Sequence, residues 1–413
     1  MEKLLFTYQN NIFLILLYSL FLLVIAIKKF KKNSDDNPIF TCENLYIILF
    51  YIFLAIGPIF SFLIGIKYEY NYNVFFLFAF SLLLFLIGAD VIVGNKIFTF
   101  KKNNSIPKKE IAINWDNIRA NSKIVLYVSY LFAAIYLFKN LSFILQNVDS
   151  NRVTAMSGNG VMIYISYAML PATWILYYCH LNDRKVKNIW IYILIDILLL
   201  TLFGFRSRVI ELVLMCVILR NDYQKIKIKK LLKLGAVLIL IAASLQVLRS
   251  ITSNYQMGIL KSLNNTLSVA SINLIYIFNA FPKKIPFQNG YTYAINFLQL
   301  LPSHHLDVTM WLKNILNMRF SGGGMTPTVI GEFYINFGIA GIIIGMIGSG
   351  IFCRFLDNYY KKNSSRKNKI IYFILMFYIA RSVASGYSNF IIIMLWFIAI
   401  TIGIYRIKII SKR

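Results

Sequence analysis

The sequence predicts an all-α, polytopic integral membrane protein of about eleven transmembrane helices, with one long outward loop carrying amphipathic helices of its own. Three observations predict it. First, 58% of the residues are hydrophobic and only 14% charged, more apolar surface than a fold surrounded by water can hide. Second, 30 of the 43 lysines and arginines fall in six clusters, at 28–32, 96–123, 184–187, 220–233, 354–369 and 406–413, and neighbouring clusters are separated by two apolar segments, which is the positive-inside pattern. Third, one stretch of 77 residues, 249–325, breaks that rhythm without supplying a span.

About 20 apolar residues cross a hydrocarbon core as a helix. On that measure spans are expected at 11–27, 44–66, 74–93, 124–145, 161–179, 189–204, 208–219, 234–248, 328–352, 370–384 and 390–405. The first keeps its charges after the apolar run and has no small-residue cleavage site, so it is expected to stay as a transmembrane helix. Segments 189–204 and 208–219 are short and meet at Phe203-Gly204-Phe205-Arg206-Ser207-Arg208. They read either as two spans or as a hairpin turning below the outer surface, with the other orientations unchanged. The N-terminus is then outside and the C-terminus inside.

The apolar run 267–281 is not taken as a span, because it would push Lys361, Lys362, Arg366, Lys367 and Lys369 outside. It becomes part of the loop, with helix-like periodicity at 266–280, 291–301 and 308–318 punctuated by Pro282, Pro286, Pro302 and Gly322-Gly323-Gly324. A loop of that length is more than a connector, and it is expected to roof a cavity among the spans. The chain therefore reads as a single transmembrane domain, 1–413, with the periplasmic loop 249–325 inserted in it.

The formal charge of +27 sits in short loops flanking apolar runs, which fits contact with anionic membrane lipid and not nucleic acid. Cys42, Cys179, Cys216 and Cys353 map to helix interiors or cytoplasmic ends, and neither a disulfide framework nor metal-ligand spacing follows. No cofactor motif is present: the triple glycine lacks a P-loop lysine and reads as a hinge.

The 13 basic residues outside the clusters point to function, because most lie on the side that should be poor in positive charge. Arg206 and Arg208 sit at the outer end of a short helix pair, where an isolated charge is costly unless solvated or paired. They read as snorkelling groups with an Arg208 to Glu211 ion pair, or as ligands for phosphate, which a guanidinium fork matches. Arg249 ends its span, Arg319 precedes the glycine run and Arg381 interrupts the span 370–384, so an anionic ligand is implied. Lys261, Lys283, Lys284 and Lys313 read as solvated loop charge. His304 and His305 precede Asp307 in the loop, and His305 suits proton transfer. Glu332 lies inside a span with Asn336 one turn on, reading as a functional carboxylate or an arginine partner. Asp196, also within a span, reads as a helix–helix hydrogen bond or part of an ion path.

Taken together, Gly204-Phe205-Arg206-Ser207-Arg208, Gly290-Tyr291-Thr292-Tyr293 leading to Leu301-Pro302, and the run Thr326-Pro327-Thr328-Val329-Ile330-Gly331-Glu332-Phe333-Tyr334-Ile335-Asn336-Phe337-Gly338-Ile339-Ala340-Gly341 resemble the O-antigen or oligosaccharide repeat-unit polymerases of the Wzy type. The resemblance covers roughly 189–350 and the overall topology. It implies a GT-C-like inner-membrane glycosyltransferase that acts on the periplasmic side without a nucleotide sugar. The growing glycan would leave undecaprenyl pyrophosphate for the non-reducing end of a new lipid-linked unit. On that reading Arg206, Arg208, Arg249, Arg319 and Arg381 bind pyrophosphate, His305 or Glu332 is the base, and Tyr291, Tyr293 and Trp311 contact sugar. No metal or cofactor is required. The partners are undecaprenyl-pyrophosphate-linked oligosaccharides, membrane lipid and a chain-length regulator. An O-antigen ligase and a lipid-linked oligosaccharide flippase are the alternatives; a flippase would show two similar halves and short outward loops, which this chain lacks.

Overall fold

The computed structural model describes residues 20–21, 24, 40–64, 72–93, 114–146, 148–156, 158–183, 186–251, 258–298, 306–320, 323–362 and 366–407. Every regular element among them is helical. In chain order these are α1 (Cys42–Tyr51), a π-helical turn Ile52–Ile56, α2 (Gly57–Leu63), α3 (Tyr72–Leu86), a second π-helical turn Ile87–Ile92, α4 (Trp115–Gln146), α5 (Val148–Met156), α6 (Gly160–Tyr167), α7 (Met169–Asp183), α8 (Ile189–Leu202) and α9 (Arg206–Tyr223). There follow α10 (Ile228–Ile251), α11 (Ile259–Ala280), α12 (Tyr291–Leu298), α13 (Val308–Ile315), α14 (Val329–Lys362), α15 (Arg366–Ser385) and α16 (Ser388–Arg406).

Helices occupy the expected spans, apart from 11–27, which lies almost wholly outside the described residues. Among the described residues five helical stretches are long and apolar enough to cross a membrane: Cys42–Ser61, Trp115–Gln146, Gly160–Asn182, Val329–Lys361 and Ser388–Arg406. Leu77–Asp90 and Ile189–Leu202 are shorter apolar helices. The helices at 208–219, 234–248 and 370–384 form but are not among the five; Arg206, Arg208 and Glu211 in the first and Arg366, Lys367, Lys369 and Arg381 in the last dilute their hydropathy. The surface of α4 shows what surrounds these helices. Leu126, Ala133 and Tyr136 are buried, while Ile124, Tyr127, Leu131 and Phe138, the last 94% exposed, form an outward apolar stripe that only lipid satisfies.

The chain divides into two compact units. The first comprises Met1–Ile97, Gly258–Asn363 and Leu375–Ile392. Its long helix α14 meets α3 with almost no side chain between them: a Cβ on Gly350 would stand 2.0 Å from the Phe85 carbonyl oxygen, and one on Gly88 2.2 Å from that of Ile347. Small residues permit this close approach, which is how helices bind one another where lipid removes the hydrophobic drive. Helix α11 lies on the C-terminal half of the Cys42–Ser61 span. There Ser61 donates to Asn264 Oδ1 at 2.6 Å and Ser268 donates to the Gly57 carbonyl at 2.8 Å. Helix α11 is not among the five candidate spans.

The second unit comprises Phe98–Met257, Ser364–Ile374 and Ile393–Arg413. Here α7, buried along most of its length, packs against α4 and α9, with Trp174 edge-on to Phe397 at 5.6 Å. Helices α8 and α9 are joined by the tight turn Phe203–Phe205, in which Gly204 adopts φ +76°. Helix α9 runs 18 residues, longer than the sequence pattern suggested.

Candidate functional site

In the first unit a buried polar hub forms around Glu332, in the first turn of α14 and fully enclosed. Its Oε2 accepts from the backbone N–H of Tyr387 at 2.5 Å; the N–H of Ser388 is shared between Oε1 at 3.2 Å and Oε2 at 3.3 Å; and the Thr292 hydroxyl reaches Oε1 at 3.4 Å. The turn that opens α16 is thus held by a carboxylate from α14, which a hydroxyl from α12 also contacts. No arginine pairs with Glu332 among the described residues. Gly386 makes the approach possible: it adopts φ +82°, and a Cβ there would lie 2.8 Å from Glu332 Oε2.

Asn336, on the face of α14 expected from sequence, donates to Thr292 Oγ1 at 2.6 Å and accepts from the Gly290 N–H at 3.0 Å. Shortly after it the helix breaks at Gly338, with φ 62° and ψ −147°. Helix carbonyls left without their own partners are costly away from water. The loop supplies them: Gln288 N donates to Ile335 O at 2.9 Å and Asn289 N to Asn336 O at 3.1 Å. Asn296 continues the docking, accepting from Val308 N at 2.9 Å and donating to the Ser388 carbonyl. The loop from 286 to 298 is therefore tied to α14 and α16 through backbone groups.

Tyr291 and Trp311, the expected sugar contacts, come together edge-on with ring centroids 5.7 Å apart, and Tyr291 is 41% exposed. Tyr293 is half-buried beside Asn336 and Glu332, and burial together with the Glu332 charge pushes its phenol well above the usual tyrosine range. Arg381 is half-buried, its guanidinium 4.3 Å from the Phe390 ring centroid. Arg319 is exposed in the segment after α13. Of the glycine run read as a hinge, Gly324 serves close contact instead, since a Cβ there would stand 2.2 Å from Thr309 Oγ1; Gly322 lies outside the described residues, as do His304 and His305.

The second unit holds Arg206, Arg208 and Arg249. Arg206 is the first residue of α9 and Arg249 lies near the end of α10. Arg208 donates to Glu211 Oε2 at 2.6 Å, the ion pair its spacing suggested, and Glu211 is completely buried. The same guanidinium sits 5.1 Å from the ring centroid of Tyr167. Asp196 is buried and accepts from the Tyr130 hydroxyl at 2.7 Å, a bond between α8 and α4.

One residue of this neighbourhood escapes the sequence reading. Arg152, on the short helix α5, donates from Nη1 to the Gly204 carbonyl at 2.9 Å and lies 5.5 Å from the Phe205 ring centroid. Phe205 and Tyr167 are themselves edge-on at 5.8 Å. A signal for it exists, since Arg152 is another basic residue outside the six clusters.

Among the described residues no group of His, Cys, Asp and Glu could hold a metal ion. The described polar groups suit binding of anions and hydroxyls. A family model described as O-antigen polysaccharide polymerase Wzy matches residues 3–413. No curated protein and no solved structure matches the chain.

Proposed function

The chain belongs to the O-antigen polysaccharide polymerase Wzy family, and from that premise we propose that it joins undecaprenyl-pyrophosphate-linked repeat units by moving the growing glycan onto the non-reducing end of a new unit. Membership makes this an integral inner-membrane protein of O-antigen polymerisation that acts on lipid-linked oligosaccharide repeat units. The reading treats the chain as one transmembrane domain with the loop 249–325 and the N-terminus on the periplasmic side and the C-terminus in the cytoplasm.

In this scheme an acceptor hydroxyl attacks the anomeric carbon of the donor sugar. The bond from that carbon to the pyrophosphate oxygen breaks, a glycosidic bond forms, and the acceptor proton passes to His305 or Glu332. The leaving group is undecaprenyl pyrophosphate, and guanidinium groups from the set Arg206, Arg208, Arg249, Arg319 and Arg381 stabilise the charge it gains. Holding two membrane-tethered substrates in register is worth up to about 7–11 kcal/mol of the barrier. Tyr291, Tyr293 and Trp311 supply sugar contacts, the Tyr291–Trp311 pair offering an exposed aromatic face. A chain-length regulator is the expected protein partner, and nucleic acid has no part.

The observation that carries the pyrophosphate assignment is the start of α9. No side chain caps it, no acid lies in its first turn, and Arg208 is held there by a fully buried glutamate. A helix N-terminus of this kind presents N–H groups and a positive dipole end to an anion. The test is polymer length in a strain lacking its native polymerase, with expression measured. Arg206→Ala and Arg208→Lys, the second keeping a cation opposite Glu211, are expected to shorten or abolish the ladder. Full-length ladders from both would end the assignment. In vitro elongation of purified lipid-linked repeat unit, without lipid A, separates polymerase from ligase and flippase.

A further inference from the structure

Arg152 is a half-buried charge that the scheme above leaves unused. Arginine carries five N–H donors and keeps its charge in proteins. Among the described residues it makes one hydrogen bond, to Gly204, and no ion pair, while its Nε is buried without a partner. A carbonyl and an aromatic face are modest compensation for a cation partly withdrawn from water. Burial accordingly pulls the Arg152 guanidinium below the ordinary arginine range, an effect that a bound anion would reverse.

Its surroundings repeat those of Arg208. The two guanidinium groups flank one aromatic pair, Arg152 against Phe205 and Arg208 against Tyr167, and both lie within electrostatic reach of the Tyr167 hydroxyl. Phe205 is also the N-cap residue of α9, so Arg152 is anchored to the turn from which the first N–H groups of that helix emerge, with no side-chain cap. Glu211 offsets the charge of Arg208. Among the described residues Arg152 has no such acid, and its hydrogen-bond partner is a neutral carbonyl.

We propose that Arg152 is a further phosphate ligand of this turn, completing with Arg208 and the first turn of α9 a cradle for one phosphate of the lipid carrier's pyrophosphate. The inference rests on the pyrophosphate reading above and adds to it a residue from a separate helix. Arg152 brings a planar fork from the side while the helix N-terminus offers its N–H groups end-on, so the anion is bound from two directions. The Gly204 bond then fixes the guanidinium before the ligand arrives.

Calorimetric titration of the full-length protein in maltoside micelles with inorganic pyrophosphate tests this, alongside the ligand-free melting midpoint of each variant. Arg152→Gln is expected to weaken binding about tenfold or more, the scale of one charge-assisted contact. Arg152→Lys keeps the charge but loses the fork and is expected to fall between the two; it decides the matter if the glutamine variant does not fold. Affinities within twofold of the parent for Arg152→Lys, and for Arg152→Gln where it folds, would overturn the proposal. If in that case a doubly substituted R206A/R208K protein has lost binding, only the role of Arg152 falls; if the parent protein binds no pyrophosphate at all, the wider reading falls with it. A second arm distinguishes the source of the phosphate. Farnesyl pyrophosphate is expected to compete with inorganic pyrophosphate in an Arg152-dependent way, and phosphatidylglycerol is not. Arg152-dependent competition by phosphatidylglycerol alone would make this a bulk-lipid contact and overturn the carrier assignment.

Discussion

Replacing Glu332 by glutamine changes one atom of a buried carboxylate and removes its charge, and the donors around it set the cost. Both oxygens face such donors: Tyr387 N at 2.5 Å from Oε2, Ser388 N at 3.2 and 3.3 Å from the two oxygens, and Thr292 Oγ1 at 3.4 Å from Oε1. An amide has one oxygen, so whichever way the new side chain turned its NH₂, that group would confront a backbone N–H. The hydroxyl of Thr292 can rotate to accept; a peptide N–H cannot. With the oxygen at the Oε2 position both N–H groups keep an acceptor, but the bonds lose the carboxylate charge and Ser388 keeps only the longer of its two contacts, which costs about 2–3 kcal/mol. That corresponds to roughly a 30- to 150-fold shift in the folding equilibrium. The assay is thermal unfolding of the purified protein in detergent, with Thr292→Val as comparison, since it gives up the longest of these contacts and the one from Asn336. Elongation measured well below the melting midpoint separates the two roles open to Glu332: a base loses turnover in folded protein, and a clamp loses stability first. An unchanged midpoint for Glu332→Gln would refute the reasoning about the hub.

Gly386→Ala is expected to destabilise by more than about 1 kcal/mol, because φ is +82° there and the new methyl would stand 2.8 Å from Glu332 Oε2; a melt that matches the parent would contradict this. Gly350→Ala forces α14 and α3 apart, an overpacking cost of about 1–3 kcal/mol, whereas Gly348→Ala, with nothing within 4 Å of its Cβ, is expected to melt like the parent. Trp311→Ala removes the partner of Tyr291 and is expected to shorten polymer at unchanged expression, so full-length ladders would remove that pair from sugar binding.

Much of this fold is legible in the sequence because lipid imposes simple rules. Apolar length locates the helices, and the basic clusters locate the loops between them. The placement of Asn336 one turn from Glu332 is also legible, since helical spacing fixes it and Asn336 does donate to the Glu332 carbonyl at 2.8 Å. Their partners are not. Thr292 is 40 positions from Glu332 and Tyr387 is 55, and nothing in local pattern joins them. The break at Gly338 is hidden for the same reason: a glycine in an apolar run reads as helix until a loop from elsewhere offers the N–H groups of Gln288 and Asn289 to the opened carbonyls. Arg152 is inconspicuous because it sits mid-loop in the sequence pattern, away from any expected helix end, and only tertiary contact reveals that α5 delivers it to Gly204.

Charges withdrawn from water among the described residues fall into two kinds, and the difference bears on which of them serve the fold. Glu43 is buried opposite Arg354 at 3.0 Å, while Asp357 accepts the first N–H groups of α1 from Cys42 at 2.8 Å and Glu43 at 3.2 Å. Glu332 is likewise met by donors on both oxygens. Such groups are compensated within the protein, and removing one partner strands the other. The turn at Gly204 is different. Glu211 answers Arg208, but Arg152 has only a carbonyl, and the helix that begins beside it has no side-chain cap. The aromatic pair offsets part of this guanidinium charge through its ring faces, but it does not neutralise it. The surplus is explained when an anion belongs there, and the lipid-linked substrates proposed for this chain carry one.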